Sequence, residues 1–166
     1  MRNIRYAEGL HVVPVLAPID LVANDAGTAF IDMQLYHHVT FMLQFGAMTS
    51  DSTDTATVTV EACPIGTTTD GDETAIAFSY RLASAVATDS MGAITETTDT
   101  GIAITAEDDN KLLIIDVDAE QVAAAVAGGR YVRAFITTNA EMASCLVGGV
   151  AVLEPRYPQN TNLSSS

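Results

Sequence analysis

Basic residues are scarce in this chain. Only seven of its 166 residues are Lys or Arg, against twenty-one Asp or Glu, leaving a formal charge of −14 at pH 7. Binding phosphate requires a basic patch, and six arginines plus Lys111, scattered along the chain, do not make one. Nucleic acid is therefore not expected as a direct partner, and anionic membrane surfaces are disfavoured for the same reason. Tryptophan is absent and aromatics are 6% of the chain. Phe30, Phe41, Phe45, Phe78 and Phe135 fall in apolar phases that read as core, which counts against the exposed aromatic platforms of a sugar-binding module.

Cysteine is nearly as rare. Cys63 and Cys145 cannot form a zinc site without help from His or carboxylates. Cys145 runs in phase with Ala143, Val147, Ala151 and Leu153, so it is expected to point inward as a small apolar side chain. No apolar run approaches the ~18 residues of a membrane span. Two arginines precede the stretch from His11 to Asp20, but Pro14, Pro18 and its polar ends interrupt the apolar region that an export signal needs.

What is present is period-two alternation. Val39, Phe41, Leu43 and Phe45 alternate with Thr40, Met42 and Gln44, while Ala56, Val58, Val60 and Ala62 alternate with Thr55, Thr57, Thr59 and Glu61. Such a pattern describes strands with one face on a core and the other in water. Further strands are expected at 29–34, 74–82, 102–105, 111–117, 131–137 and 144–153, with 111–117 central because both of its faces are apolar. Ile76, Phe78, Tyr80 and Leu82 are expected to share one face of a single strand. The segments 49–54 and 66–72 are small, polar loops. Asp118 and Gln121 have capping-box spacing, and Val122–Ala127 followed by Gly128-Gly129 predicts one short helix over about 118–127, docked through Val122 and Val126.

These elements predict a mainly β fold, a β-sandwich of jelly-roll-like kind with one short helix and extended terminal arms. Residues 1–17 read as an N-terminal arm, 18–156 as the single sandwich domain and 157–166 as a polar C-terminal tail. Pro14 and Pro18 exclude a central strand near the N-terminus.

The search for chemistry yields no site. His37 and His38 are adjacent and on a strand would face opposite ways, so together with Asp32 and Cys63 they make only a weak composite metal site. The acidic clusters at 70–73 and 107–110 lack EF-hand spacing and read as solvated turns. No nucleophile elbow or phosphate loop is present. No catalytic, cofactor-binding or metal-ligating residue is nominated, and no enzyme activity or cofactor is expected. The excess of acid over base also fits a protein working in high salt, where screening suppresses self-repulsion.

The order of phrases is informative in another way. Pro18-Ile-Asp-Leu-Val22, Phe30-Ile-Asp-Met-Gln-Leu-Tyr36 and Val39-Thr-Phe-Met-Leu-Gln-Phe-Gly46 are followed by Ala56-Thr-Val-Thr-Val-Glu-Ala62 and Ala75-Ile-Ala-Phe-Ser-Tyr-Arg81. Asp108-Asp-Asn-Lys-Leu-Leu-Ile-Ile-Asp-Val117 and Arg130-Tyr-Val-Arg-Ala-Phe-Ile136 come later. Across most of residues 18–155 this resembles small virion structural proteins of tailed bacteriophages, in particular capsid decoration proteins that cement or stabilise the shell. The resemblance implies a symmetric homo-oligomer, a trimer favoured, bound to the major capsid protein on the capsid exterior. An arm carrying Arg2, Ile4, Arg5 and Tyr6 is the expected partner-binding segment, able to add to a neighbour's edge strand. A tail, connector or fibre-associated module and a secreted carbohydrate-binding sandwich stand as alternative readings.

Overall fold

The computed structural model describes residues 10–22, 24–49, 55–67, 72–139 and 143–156. Arg2, Ile4, Arg5 and Tyr6 lie outside the described residues, as does the tail from 157 onward.

Two antiparallel sheets face each other across one core. The front sheet runs β1 (His11–Asp20), β12 (Ser144–Pro155), β4 (Tyr36–Thr49), β10 (Leu112–Asp118), β7 (Phe78–Leu82) and β8 (Thr95–Thr97), in that spatial order. The back sheet centres on β11 (Tyr131–Thr138) and β5 (Ala56–Cys63). β11 is flanked by the short β2 (Ala26–Gly27) and β3 (Ile31–Asp32), and β5 by β6 (Thr74–Ile76) and β9 (Ile102–Ile104).

The pairing is nested. β1 pairs with β12, β2 and β3 with β11, β4 with β10, and β5 with β9. A chain folded into a long double strand and then rolled into two sheets gives this order, which is the jelly roll. The excursion through β6, β7 and β8 is inserted between β5 and β9.

The alternations place the core as expected. Val39, Phe41, Leu43 and Phe45 of β4, Val58 and Val60 of β5, and Leu113, Ile115 and Val117 of β10 are fully buried. β10 lies inside the front sheet between β4 and β7. The helix α1 spans Ala119–Ala125, with Asp118 as its N-cap, and Gln121 Oε1 accepts the Asp118 N–H at 2.9 Å. Val122 is buried and Val126 packs on the core. The helix ends at Ala125, short of the expected 127, with Val126 extended as its C-cap; Gly128 at φ +78° makes the turn that follows, and a Cβ on Gly129 would stand 2.1 Å from the Val122 carbonyl oxygen.

Three expectations change. The single strand over 74–82 is two: Ile76 pairs with Val60 in the back sheet and Tyr80 with Ile115 in the front one, so the chain crosses between sheets at Ala77. Both Ile76 and Phe78 stay buried across this corner, and the alternation therefore continues unbroken. The expected strand at 29–34 is reduced to β3, with a turn at Met33–Leu35. From His11 onward, the segment read as arm is β1, an edge strand on β12, with bulges on either side of Leu16. Its prolines fit because an edge strand needs hydrogen bonds on only one side.

Candidate functional site: the outer face of the front sheet

Most antiparallel sandwiches turn polar side chains outward from both sheets. The front sheet departs from this. On its outer face, Met42 and Gln44 of β4 lie beside Leu112 of β10 and beside Leu146, Gly148 and Val150 of β12. β1 supplies the opposite wall through Pro14, Leu16, Pro18 and Ile19. Together they form an open trough of about 780 Å³ without a charged side chain in its lining. Leu146 is 43% exposed, Val150 36% and Ile19 45%.

Local sequence shapes this trough. The bulges of β1 re-aim Leu16 to Ile19. Gly46 and Gly148 leave the floor bare: a Cβ on Gly46 would lie 2.9 Å from Leu146 Cβ, and one on Gly148 would lie 3.3 Å from Pro18 Cα. Ladder bonds cannot extend past β1 at Pro14 or Pro18, which lack an N–H. A neighbour is thus offered a face, not an edge.

The other end of the same outer face is polar. His38 sits on β4 opposite Asp118 of β10 and Glu154 of β12. Its Nδ1–H donates to Asp118 Oδ1 at 2.8 Å and its Nε2–H to Asp116 Oδ1 at 3.1 Å. Thr40 Oγ1 donates to the same Asp116 oxygen at 2.7 Å. The hydrogen bond to Asp116 leads the effects that raise the His38 pKa to about 9, against partial burial, with Asp118 adding to it. Asp116 is held below the ordinary carboxylate range, first by His38.

The sequence-stated candidates disperse. His37 is exposed on the opposite side from His38, and Asp32 accepts from Arg130 Nε at 2.9 Å. Cys63 and Cys145 are buried free thiols, and burial, then Asp20 and Asp109, push the Cys145 thiol up to about 11. In the acidic clusters, Glu73 faces Arg133, Asp108 pairs with Lys111 at 2.9 Å, and Asp109 accepts the Met48 N–H at 2.7 Å. Those carboxylates serve the fold. Among the described residues, no group of three or more His, Cys, Asp or Glu is arranged to hold a metal, and no helix is long and apolar enough to cross a membrane.

Phe30 and Phe135, expected in the core, lie instead on the outer side of the back sheet. They flank the guanidinium of Arg133 at 4.8 and 4.7 Å from their ring centroids. Arg133 is 7% exposed and donates from Nε to Glu61 at 2.7 Å, with Glu73 3.4 Å from Nη2. All five described Lys and Arg side chains are engaged within the chain: Lys111, Arg130 and Arg133 by carboxylates, Arg81 by the Gly92 carbonyl, and Arg156 by the Met33 and Tyr36 carbonyls.

Reading the residues in isolation missed the trough, although its signal was present. In 144–153 the outward positions are Ser144, Leu146, Gly148, Val150 and Val152, which contain one polar residue where alternation should supply five. The two apolar faces of 111–117, expected to mark a central strand, carry the same signal.

No family model and no curated protein matches this chain. Among solved structures, a chain from the structure of infectious bursal disease virus Gt strain aligns over 92% of this chain and 42% of its own length, with 13% identity and a TM-score of 0.24. This chain thus spans less than half of that one, and the score is too low to equate the two folds.

Proposed function

We propose that this protein is a non-enzymatic structural component of a virion. It binds the outer surface of a tailed-phage capsid through its major capsid protein and stabilises the shell as a symmetric oligomer, a trimer favoured. The observation that carries this reading is the apolar trough. A contiguous uncharged face on a chain of charge −14 is what an interaction surface looks like, because exposing it alone is unfavourable. The shell subunit packs against this face. The jelly roll is common among coat proteins, but it also serves lectins, so the fold adds plausibility and not identity.

Other features are compatible. A strongly acidic surface with its described cations already engaged avoids packaged nucleic acid. Arg2, Ile4, Arg5 and Tyr6 supply a second contact in this reading, the two arginines meeting acidic surface on a neighbour. The carbohydrate-binding alternative loses support, since Phe30 and Phe135 each turn one ring face to Arg133.

The test is cryo-electron microscopy of particles incubated with the purified protein, alongside the Val150→Asp variant. Ordered density on the outer shell for the wild type, lost in the variant, is expected. Density at the tail or portal alone moves the role to a tail or connector module. Absence from particles overturns the virion reading and makes glycan binding the next assay.

A further inference from the structure

We propose that His38 is a proton-operated latch that fastens the start of α1 to the front sheet, closed when the imidazole carries both protons and open when it loses one. The geometry calls for the doubly protonated ring. Carboxylate oxygens only accept, and one stands within hydrogen-bond distance of each ring nitrogen, at 2.8 and 3.1 Å. A neutral ring has one N–H, so its other nitrogen would aim a lone pair at a carboxylate oxygen. Moving the proton to Asp116 would place it on the far weaker base, since that carboxyl is held below the ordinary carboxylate range.

The surroundings set where the proton leaves. Asp116 and Asp118 face His38 from β10, and Glu154 stands opposite it on β12. From α1 the nearest charged residue in sequence is Glu120, in the first turn. Every one of these groups is acidic, so all favour the charged ring. The pKa of about 9 follows from the same contacts and puts the opening in mildly alkaline solution.

What the latch holds is the helix. Asp118 ends β10 and is the N-cap of α1, so the His38–Asp118 bond ties β4 directly to the first turn. α1 has seven residues, too few to persist unaided. It contacts β4 and β10 of the front sheet and β5 and β6 of the back sheet, closing one end of the sandwich over Ala119 and Val122. Loss of one proton leaves three carboxylates around a neutral ring and frees the N-cap, and the end of the sandwich loosens first.

Two measurements test this on the full chain. Ring-nitrogen NMR shifts of His38 should report an imidazolium at pH 7.5 and a titration midpoint above 8. A neutral ring at pH 7.5 overturns the proposal. Hydrogen exchange of 112–127, corrected for the intrinsic base-catalysed rate, should lose protection about tenfold between pH 7 and 10, in step with the titration. The β5–β11 ladder should show no such step, and His38→Gln should show the weakened helix at every pH. If the helix stays equally protected while His38 titrates, the ring is a surface ion pair and not a latch. The wild-type titration decides the point even if the variant does not fold.

Discussion

The two outer faces of this sandwich solve the same problem in opposite ways. On the back sheet, Thr57, Thr59 and Glu61 of β5 lie opposite Thr137, Phe135 and Arg133 of β11. Its buried guanidinium, Arg133, is neutralised by Glu61 and Glu73 and covered by Phe30 and Phe135, and Asp32 is paired with Arg130. That face is complete within one chain. On the front sheet, the end near His38 is likewise satisfied, while the trough end shows aliphatic and proline side chains to solvent. The difference teaches which surface to assign to a partner: polar groups mutually satisfied need nothing further, and exposed carbon does.

The largest expected effect breaks the complete face. Arg133→Met removes the cation shared by Glu61 and Glu73 and leaves both carboxylates partly buried, which should cost about 3–5 kcal/mol. A fall in the denaturant midpoint at unchanged slope checks it. Glu61→Gln, which keeps the cation and Glu73, should cost less.

Next comes the floor beneath the trough. Gly149 pairs with Leu43, and a Cβ there would lie 2.6 Å from Leu43 Cδ2 and 3.1 Å from the Met42 carbonyl oxygen. Gly149→Val should destabilise by about 1–3 kcal/mol, since the Leu43 side chain has to move but the strand does not open. Thermal unfolding measures this.

Acid and alkali act at different places. The folded His38 pKa, about 9, is raised above its ordinary 6.5, so its stabilisation is complete below about pH 6.5 and fades as pH rises through 9. Allowing for solvent contact at the ring, His38→Gln should cost about 1 kcal/mol at pH 6 and little at pH 10. Asp32 and Asp116 are shifted the other way, the first by Arg130 and the second by His38. Their contribution is present above pH 4 and lost as pH falls further, so stability should be greatest between about pH 5 and 6.5. Unfolding curves across pH test both limbs.

The smallest effect on stability is the most telling for function. Leu146→Asp and Val150→Asp place charge on an already exposed face and should shift the stability of the isolated chain by no more than about 0.5 kcal/mol. The same changes should abolish binding to particles, whereas Thr59→Asp on the back sheet should leave it intact. Equal loss from both faces would dissolve the distinction between them.

The sequence reading went furthest where a pattern was local. The strands β4, β5, β10, β11 and β12 follow from period-two alternation, and α1 follows from Asp118, Gln121 and the Gly128-Gly129 stop. It went wrong where the pattern was locally correct but the partner was distant. Residues 74–82 alternate without interruption, and only the pairing of Ile76 with Val60 and Tyr80 with Ile115 reveals the crossing at Ala77. Phe135 is in an apolar phase by spacing but covers a buried arginine from outside. The partners of His38 lie 78 and 80 residues away, beyond any local motif. Of the candidate site, the trough was written in the missing polar positions of 144–153, while its far wall on β1 depended on bulges that spacing does not announce.

The nested pairing also sets an order of events during synthesis. β12 is the latest of the described strands, yet its place is between β1 and β4, two of the earliest. Until it is made, those two strands have an unfilled slot between them and the front sheet cannot close. The long sequence separation of such contacts favours slow folding. Leu146, Gly148 and Val150 all arrive with β12, so the trough does not exist on a growing chain. Only a molecule that has finished folding carries this surface, so on the proposed function an incomplete chain would be left out of assembly without any separate proofreading.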